Sequence, residues 1–185
     1  MRQNNIRLIN VIGLVENIMI GKAKLSTEEI KLRVNRILND YLSHPEVLKM
    51  KNHLHHANIS TFDHALSVAY KAYEMGYRVK EIDLNLLTVC AFLHDFYLYD
   101  WHDSEPDHSM HGFRHASFSA NNASRIFCIP KKGADAIRSH MWPLNITEIP
   151  RSREAWILTV ADKKVSAIEI LRALLGRLGK MCKRK

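Results

Sequence analysis

Apolar residues recur at helical spacing along almost the whole chain, and no segment alternates strictly between apolar and polar residues as a half-buried strand does. Ser26 precedes two acidic residues, which is typical of a helix start. Ser60 or Thr61, and further on Asp83, can cap the next two helices. The sequence predicts one all-α domain, with helices over about residues 26–42, 60–76, 83–94, 113–127, 130–140 and 152–175.

The run IRLINVIGLVENIMI near the start of the chain is apolar but is interrupted by Asn10, Gly13 and Glu16. It is shorter than the roughly 20 residues that a membrane span requires. It also lacks a small-residue cleavage site before Lys22, which argues against a signal peptide. Its apolar residues recur at helical spacing, so the run predicts an amphipathic helix packed on the domain, in a cytoplasmic protein with no membrane partner.

Charge and cysteine content narrow the possible partners. The formal net charge is +8, and Lys180, Lys183, Arg184 and Lys185 near the end of the chain supply four of these charges, which leaves +4 for the other residues. That excess suits an anionic substrate, while the basic tail is expected to be solvated and frayed rather than a nucleic-acid contact. No nucleic-acid recognition motif is present. Three widely spaced cysteines exclude a disulfide framework and fit a reducing compartment.

Polar residues inside apolar segments are the main indication of chemistry. His64 lies in FDHALSVAY, His94 and Asp95 end LLTVCAFLHDF, and Asp162 lies in ILTVADKK. An unpaired imidazole or carboxylate in a core costs free energy, and buried charges survive by pairing or by binding a metal. Their occurrence on three separate helical segments suggests that they converge on a metal.

These four residues resemble the HD superfamily of metal-dependent phosphohydrolases, whose signature is a histidine, a His-Asp pair and a distal aspartate. The resemblance covers roughly Thr61 to Glu169. It implies an all-α helical bundle with the metal site among its core helices. We therefore expect N-terminal helices packed on the core over residues 1–50, an HD domain over 51–175 and a basic tail over 176–185.

Dinuclear members of this superfamily add two histidines between the His-Asp pair and the last aspartate. By that resemblance, His111 in HGFRHASFSA and His140 in IRSHMWP complete the set of ligands. His115 is the alternative to His111, because a spacing of four places both on one helix face; otherwise it supports a ligand or contacts substrate phosphate. The expected cofactor is two divalent ions, and nitrogen and oxygen ligands suit iron, manganese or zinc.

In such a site Asp95 would be the catalytic residue, holding both ions and orienting the water that attacks phosphorus. Many relatives follow the His-Asp pair with a glycine and then a lysine, whereas this chain reads HDFYLYDWH and has Leu98 at the basic position. Other residues must then bind the phosphate or line the pocket. The candidates are His102, Arg114, His115, Arg151 and Lys163.

The sequence thus predicts a phosphohydrolase acting on a nucleotide or another small phosphorylated metabolite. One alternative is a mixed-valence di-iron oxygenase, because some HD-fold proteins with six ligands resemble inositol oxygenase. Another is an HD domain that binds a nucleotide without catalysis, which the complete series of ligands disfavours. Ligand types alone do not separate hydrolase from oxygenase, and no oligomeric state is predicted.

Overall fold

A computed structural model describes residues 23–54, 59–97 and 111–182, and within the last range it describes side chains from 114 to 176. These residues form helices and no β-strand, which confirms the predicted all-α fold. The predicted helix within residues 1–22 lies outside the described part. The helices are α1 (Thr27–Ile37), α2 (Asn39–Leu42), α3 (Pro45–Leu48), a 3₁₀ helix (Lys49–Asn52), α4 (Thr61–Gly76), α5 (Leu84–Leu93), α6 (His111–Phe127), α7 (Lys131–Arg138) and α8 (Arg153–Cys182).

Local capping explains where three of the helices begin. The Ser26 hydroxyl accepts from the backbone N–H of Glu29, and the Glu29 carboxylate accepts from the backbone N–H of Ser26 at 2.8 Å. Ser60 and Asp83 accept from the backbone N–H three residues ahead, at 3.1 and 2.9 Å. Each cap satisfies a donor that the first helical turn leaves without a partner, so these starts follow from sequence.

Two predicted boundaries are different in the structure. The first helix breaks at Leu38 (ψ 3°), so α1 ends at Ile37 and a separate short helix reaches Leu42. The last helix continues to Cys182 instead of ending near Leu175, because Gly176 keeps a negative φ. Seven residues of the expected basic tail therefore belong to α8.

Helix α5 occupies the centre of the molecule and contacts α4, α7 and α8. Its residues from Leu87 to Leu93 are all buried, because the helix is apolar on every side and neighbours cover it all round. Phe96 follows it and is also fully buried. The His94-Asp95 pair, which lies between Leu93 and Phe96, is therefore buried in the interior.

Helix α7 approaches α5 closely at Gly133. A Cβ atom at this position would lie 2.8 Å from the Sγ of Cys90, so only glycine fits without a local shift. Helix α6 packs beside α7, and its small residues Ala116, Ala120 and Ala123 are buried. These contacts hold the α6–α7 pair against the end of α5. Among the described helices, none has the length and apolar character that a membrane span requires.

Candidate metal centre

Six buried ionisable side chains meet at the end of α5. They come from five parts of the bundle, so the cluster is built by tertiary packing rather than by one local motif. They are His64 in the first turn of α4, His94 and Asp95 directly after α5, His115 on α6, His140 after α7 and Asp162 on α8.

One group of these side chains lies around the Oδ1 atom of Asp162. The Nε2 atoms of His64 and His94 lie 3.4 and 3.7 Å from the Oδ1 of Asp162. The Nε2 of His94 is also 3.3 Å from the Oδ2 of Asp95. Two imidazoles and two carboxylates thus face one small volume.

A second group surrounds the other oxygen of Asp95. The Nε2 atoms of His115 and His140 are 3.2 Å apart, and they lie 3.4 and 3.7 Å from the Oδ1 of Asp95. The two oxygens of this carboxylate therefore face two different histidine pairs. Asp95 stands between the groups.

Hydrogen bonds on the outer side of three rings set the direction of their lone pairs. The Nδ1 of His94 donates to the carbonyl of Ala91 at 2.8 Å, and the Nδ1 of His140 donates to the carbonyl of Ile137 at 2.7 Å. A carbonyl can only accept, so in the neutral rings the proton is on Nδ1 and the Nε2 lone pair faces the cluster. The Nε2 of His94 has no hydrogen-bond partner among the described residues.

His64 is held in the same way by a carboxylate. Its Nδ1 donates to the Oε2 of Glu169 at 2.8 Å, and Glu169 is buried. A carboxylate that accepts the second ring proton is the usual partner of a metal-ligating histidine, because it fixes the ring and makes the ligating nitrogen more basic. The sequence analysis missed Glu169.

The cluster fits a metal ion in donor type and spacing. Two ligand atoms bound at about 2.1 Å to one tetrahedral or octahedral ion lie about 3.0–3.4 Å apart. The closest atom pairs in the two groups lie 3.2–3.7 Å apart. Imidazole nitrogens and carboxylate oxygens suit zinc, iron or manganese. His64, His94 and Asp162, and also His94, Asp95 and His140, can each bring three ligand atoms together.

A comparison with protein-family models agrees with this geometry. The model of the HD domain matches residues 61–166, which is more than half of the chain. The chain belongs to the HD domain family. Members of this family are generally metal-dependent phosphohydrolases. Comparisons with curated proteins and with solved structures found no match. The resemblance inferred from His64, His94, Asp95 and Asp162 is thereby confirmed.

The two histidine groups of this HD domain differ in electrostatics. Burial disfavours the charged form of His64, but hydrogen bonds to Asp162 and Glu169 and the charge of Asp95 outweigh it and raise its pKa to about 10. Burial and the neighbouring His94 and His115 lower the pKa of His140 to about 3. Without a metal, the carboxylate-rich group therefore attracts a proton, whereas the ring of His140 remains neutral.

The pKa of Asp162 is well below its ordinary range. Burial opposes ionisation of this carboxyl group, but the hydrogen bond from His64 and the nearby rings of His94 and His140 outweigh burial. The hydroxyl of Ser166 also donates to the Oδ1 of Asp162 at 3.2 Å. Asp162 is therefore a carboxylate that needs positive charge beside it, from protons or from a metal.

Lys163 lies at the rim of the cluster. Its Nζ donates to the backbone carbonyl of His140 at 3.0 Å and is 3.6 Å from the Oδ2 of Asp162. The side chain is 42% exposed, so an anion arriving from solvent can reach it. Among the predicted phosphate-binding residues whose side chains the structure describes, Lys163 contacts both Asp162 and the backbone of His140.

The other predicted substrate-binding residues are in different positions. Arg114 is exposed, with its guanidinium 5.4 Å from the ring centroid of Phe118. Arg151 lines a separate cleft of about 530 Å³ between α7 and the segment before α8. His102 and the side chain of His111 lie outside the described residues, so the predicted roles of both stay predictions.

The turn after the His-Asp pair is tied to α4 and α6. The Asn122 amide donates to the carbonyls of Phe96 and Tyr97 at 3.0 and 3.2 Å. The Tyr97 hydroxyl is 3.1 Å from the Thr61 hydroxyl, and its ring centroid is 6.0 Å from that of His115. Tyr97 is buried and its ring lies beside His115, so it packs against the cluster rather than facing solvent.

The structure thus brings together five of the six predicted ligands, with His115 in addition. Glu169 and Ser166 were not predicted. A spacing signal for them exists, because residues four and seven positions after Asp162 return to the same face of a helix.

Proposed function

We propose that this HD domain is a metal-dependent phosphohydrolase that acts on a nucleotide or another small phosphorylated metabolite and uses two divalent ions. The observation that carries the proposal is the position of Asp95 between two histidine groups. Its Oδ2 is 3.3 Å from the Nε2 of His94, and its Oδ1 is 3.4 Å from the Nε2 of His115. A carboxylate with one oxygen toward each group is suited to bridging two ions.

Each ion would be held by its own set of side chains. His64, His94 and Asp162, with one oxygen of Asp95, would hold the first ion. His115 and His140, with the other oxygen of Asp95, would hold the second. Iron, manganese and zinc all suit these donors. His111, the ligand expected from sequence, lies one helical turn before His115 and is tested by the variants below.

When bound, paired ions supply Lewis acidity toward phosphate oxygens and lower the pKa of a water between them. The residues of this chain have three tasks around that chemistry. Asp95 positions both halves of the site. The carbonyls of Ala91 and Ile137 keep the His94 and His140 rings in one orientation. The buried surroundings exclude bulk water, which strengthens every charge interaction.

Lys163 would bind a non-bridging phosphate oxygen. Its ammonium group is anchored on one side by the His140 carbonyl and keeps an exposed side toward solvent. This placement offers positive charge although Leu98 stands where many relatives have a lysine. Removing the Lys163 charge should therefore raise the KM for a phosphorylated substrate more than it lowers kcat.

The test is activity of metal-depleted protein reloaded with one metal at a time. We expect release of phosphate, or of a phosphorylated product, from members of a panel of nucleotides and sugar phosphates, without oxygen. Asp95→Asn should abolish turnover and metal retention, while Asp40→Asn, an exposed control, should keep both. Failure of every metal form to cleave any phosphate ester, together with stoichiometric oxygen uptake by the iron form, would favour the oxygenase.

His111→Ala and His115→Ala separate the two possible ligands on α6. If the geometry described here is right, His115→Ala lowers the metal content from two ions to one. If His111 is the ligand instead, its alanine variant causes that loss and His115→Ala keeps both ions. Elemental analysis of the two purified variants decides between them.

A further inference from the structure

Two tryptophans pack against each other where the turn after α7 meets α8. Trp142 follows the predicted ligand His140 by two residues, and Trp156 lies near the start of α8. Their ring centroids are 5.0 Å apart, with an interplanar angle of 75°. A pair that only fastened the turn to α8 would bury both rings, whereas Trp156 is 40% exposed and Trp142 is half-buried. The pair therefore leaves aromatic surface open to a ligand.

Lys163 joins the same two segments closer to the metal centre. Its Nζ lies 3.0 Å from the backbone carbonyl oxygen of His140 and 3.6 Å from the Oδ2 of Asp162. Lys163 follows Trp156 by seven residues, so the two lie on one side of α8, about 20° apart in direction and about 10 Å apart along the axis. The ring pair, an ammonium group and the metal centre thus follow one another along the junction between α8 and the turn.

The exposed side of this part of α8 suits an anionic ligand. Between residues 155 and 164 the one acidic residue is Asp162, and it is buried. The two basic residues of the same stretch, Lys163 and Lys164, are both exposed. Aromatic and basic side chains that share one surface are typical of sites that bind a nucleobase and its phosphate together.

We propose that Trp142 and Trp156 form a platform on which a nucleobase stacks, so that the site binds nucleotides in preference to phosphorylated sugars. This inference rests on the proposed function, because it takes Lys163 and the metal centre as the phosphate end of the site. The sugar and phosphates of the ligand then span the two turns of α8 between the ring pair and Lys163. Stacking is tolerant of base identity, because every base has a π face, so purines and pyrimidines should both bind.

AMP and ribose 5-phosphate provide a matched pair of probes, because the sugar phosphate lacks the base. We expect the zinc-loaded full chain to bind AMP about 5–150-fold more tightly than ribose 5-phosphate in calorimetric titration, which is the range that stacking of one base supports. If either probe is hydrolysed, the ratio of kcat/KM values replaces the ratio of affinities. Trp156→Ala should remove most of the preference by weakening AMP alone, and Trp156→Phe, which keeps an aromatic face, should retain much of it.

Three controls separate stacking from damage to the metal centre. Trp156→Ala should keep its native metal content and its affinity for ribose 5-phosphate, whereas a merely structural pair would lose both through displacement of His140. Ile170→Ala, which removes a side chain that is 45% exposed on the same helix, should keep the preference for AMP. Lys163→Ala should weaken both probes equally, because it acts on the phosphate.

The outcomes distinguish this inference from the proposed function. Equal affinity of the native protein for the two probes overturns the platform, and so does a loss in Trp156→Ala that is the same for both. Tryptophan-dependent binding of a single-stranded oligothymidylate, without any preference for AMP, would also overturn it and assign the pair to nucleic acid. A preference for AMP that depends on Trp156, in protein that cleaves no phosphate ester, would uphold the platform while the proposed hydrolysis fails.

Discussion

The hydrogen bond between His64 and Glu169 predicts a measurable loss of metal affinity when the carboxylate is removed. Both groups are buried, and the Nδ1–Oε2 distance is 2.8 Å. Outer partners of metal-ligating histidines typically contribute about 10–100-fold in metal affinity, which is about 1.4–2.7 kcal/mol. Glu169→Gln keeps an acceptor but loses the charge, so we expect the lower end of this range. Glu169→Ala removes both, so the upper end is expected.

Glu74 supplies the matched control. It lines the same groove as Glu169, but it pairs with Lys71 and is far more exposed. Competition between each variant and a chelator of known affinity should show a loss for the Glu169 variants and native affinity for Glu74→Gln. Native affinity in both Glu169 variants, or an equal loss in Glu74→Gln, would refute the role assigned to this hydrogen bond.

Three further predictions follow from the site and the core. His140→Ala, like His115→Ala, should reduce the metal bound at saturation from two ions per chain to about one, measured by titration of the metal-depleted protein; two ions retained would contradict the bridging geometry. Gly133→Ala should lower the free energy of unfolding, measured by urea denaturation, by about 1–3 kcal/mol. Gly176→Ala is the control, because no atom lies within 4 Å of a Cβ at that position, and it should be neutral or stabilising by up to about 1 kcal/mol. The pKa of His64 is raised to about 10 in the fold, so protonated His64 stabilises the metal-free protein. This contribution is complete below pH about 6.5 and is lost as the pH rises toward 10. Metal binding requires neutral histidine, so the free energy of unfolding of the metal-loaded protein should rise from neutral to mildly alkaline pH. Plots of unfolding free energy against pH that run parallel for the metal-free and metal-loaded forms would contradict this.

The helix starts could be predicted because their causes are local. Ser26 and Asp83 accept from backbone groups three residues away, so the residues that form the cap are adjacent in sequence. The break at Leu38 was not predictable in this way. Leu38 is an ordinary helix former, fully buried in the core, so the break depends on packing that the local sequence does not show.

The same distinction applies to the cluster. His64, His94 and Asp162 stood out because each interrupts an apolar segment that only a buried helix would contain. Glu169 did not stand out, because the residues around it on α8 are mixed in character and its role depends on His64, 105 positions earlier. His111 and His115 were indistinguishable by spacing, since residues four apart share one helix face.

Helix α8 also limits how the length of the chain can vary. It supplies contacts to both nitrogens of His64, through the carboxylates of Asp162 and Glu169. One residue inserted between these carboxylates would rotate one against the other by about 100° and shift it by about 1.5 Å along the axis. Both contacts could not then be kept on one ring. Insertions in the exposed segment 143–149, which lies between α7 and α8, leave that spacing intact. Changes in chain length should therefore be tolerated in that segment, whereas the number of residues between Asp162 and Glu169 cannot change without loss of one contact to His64.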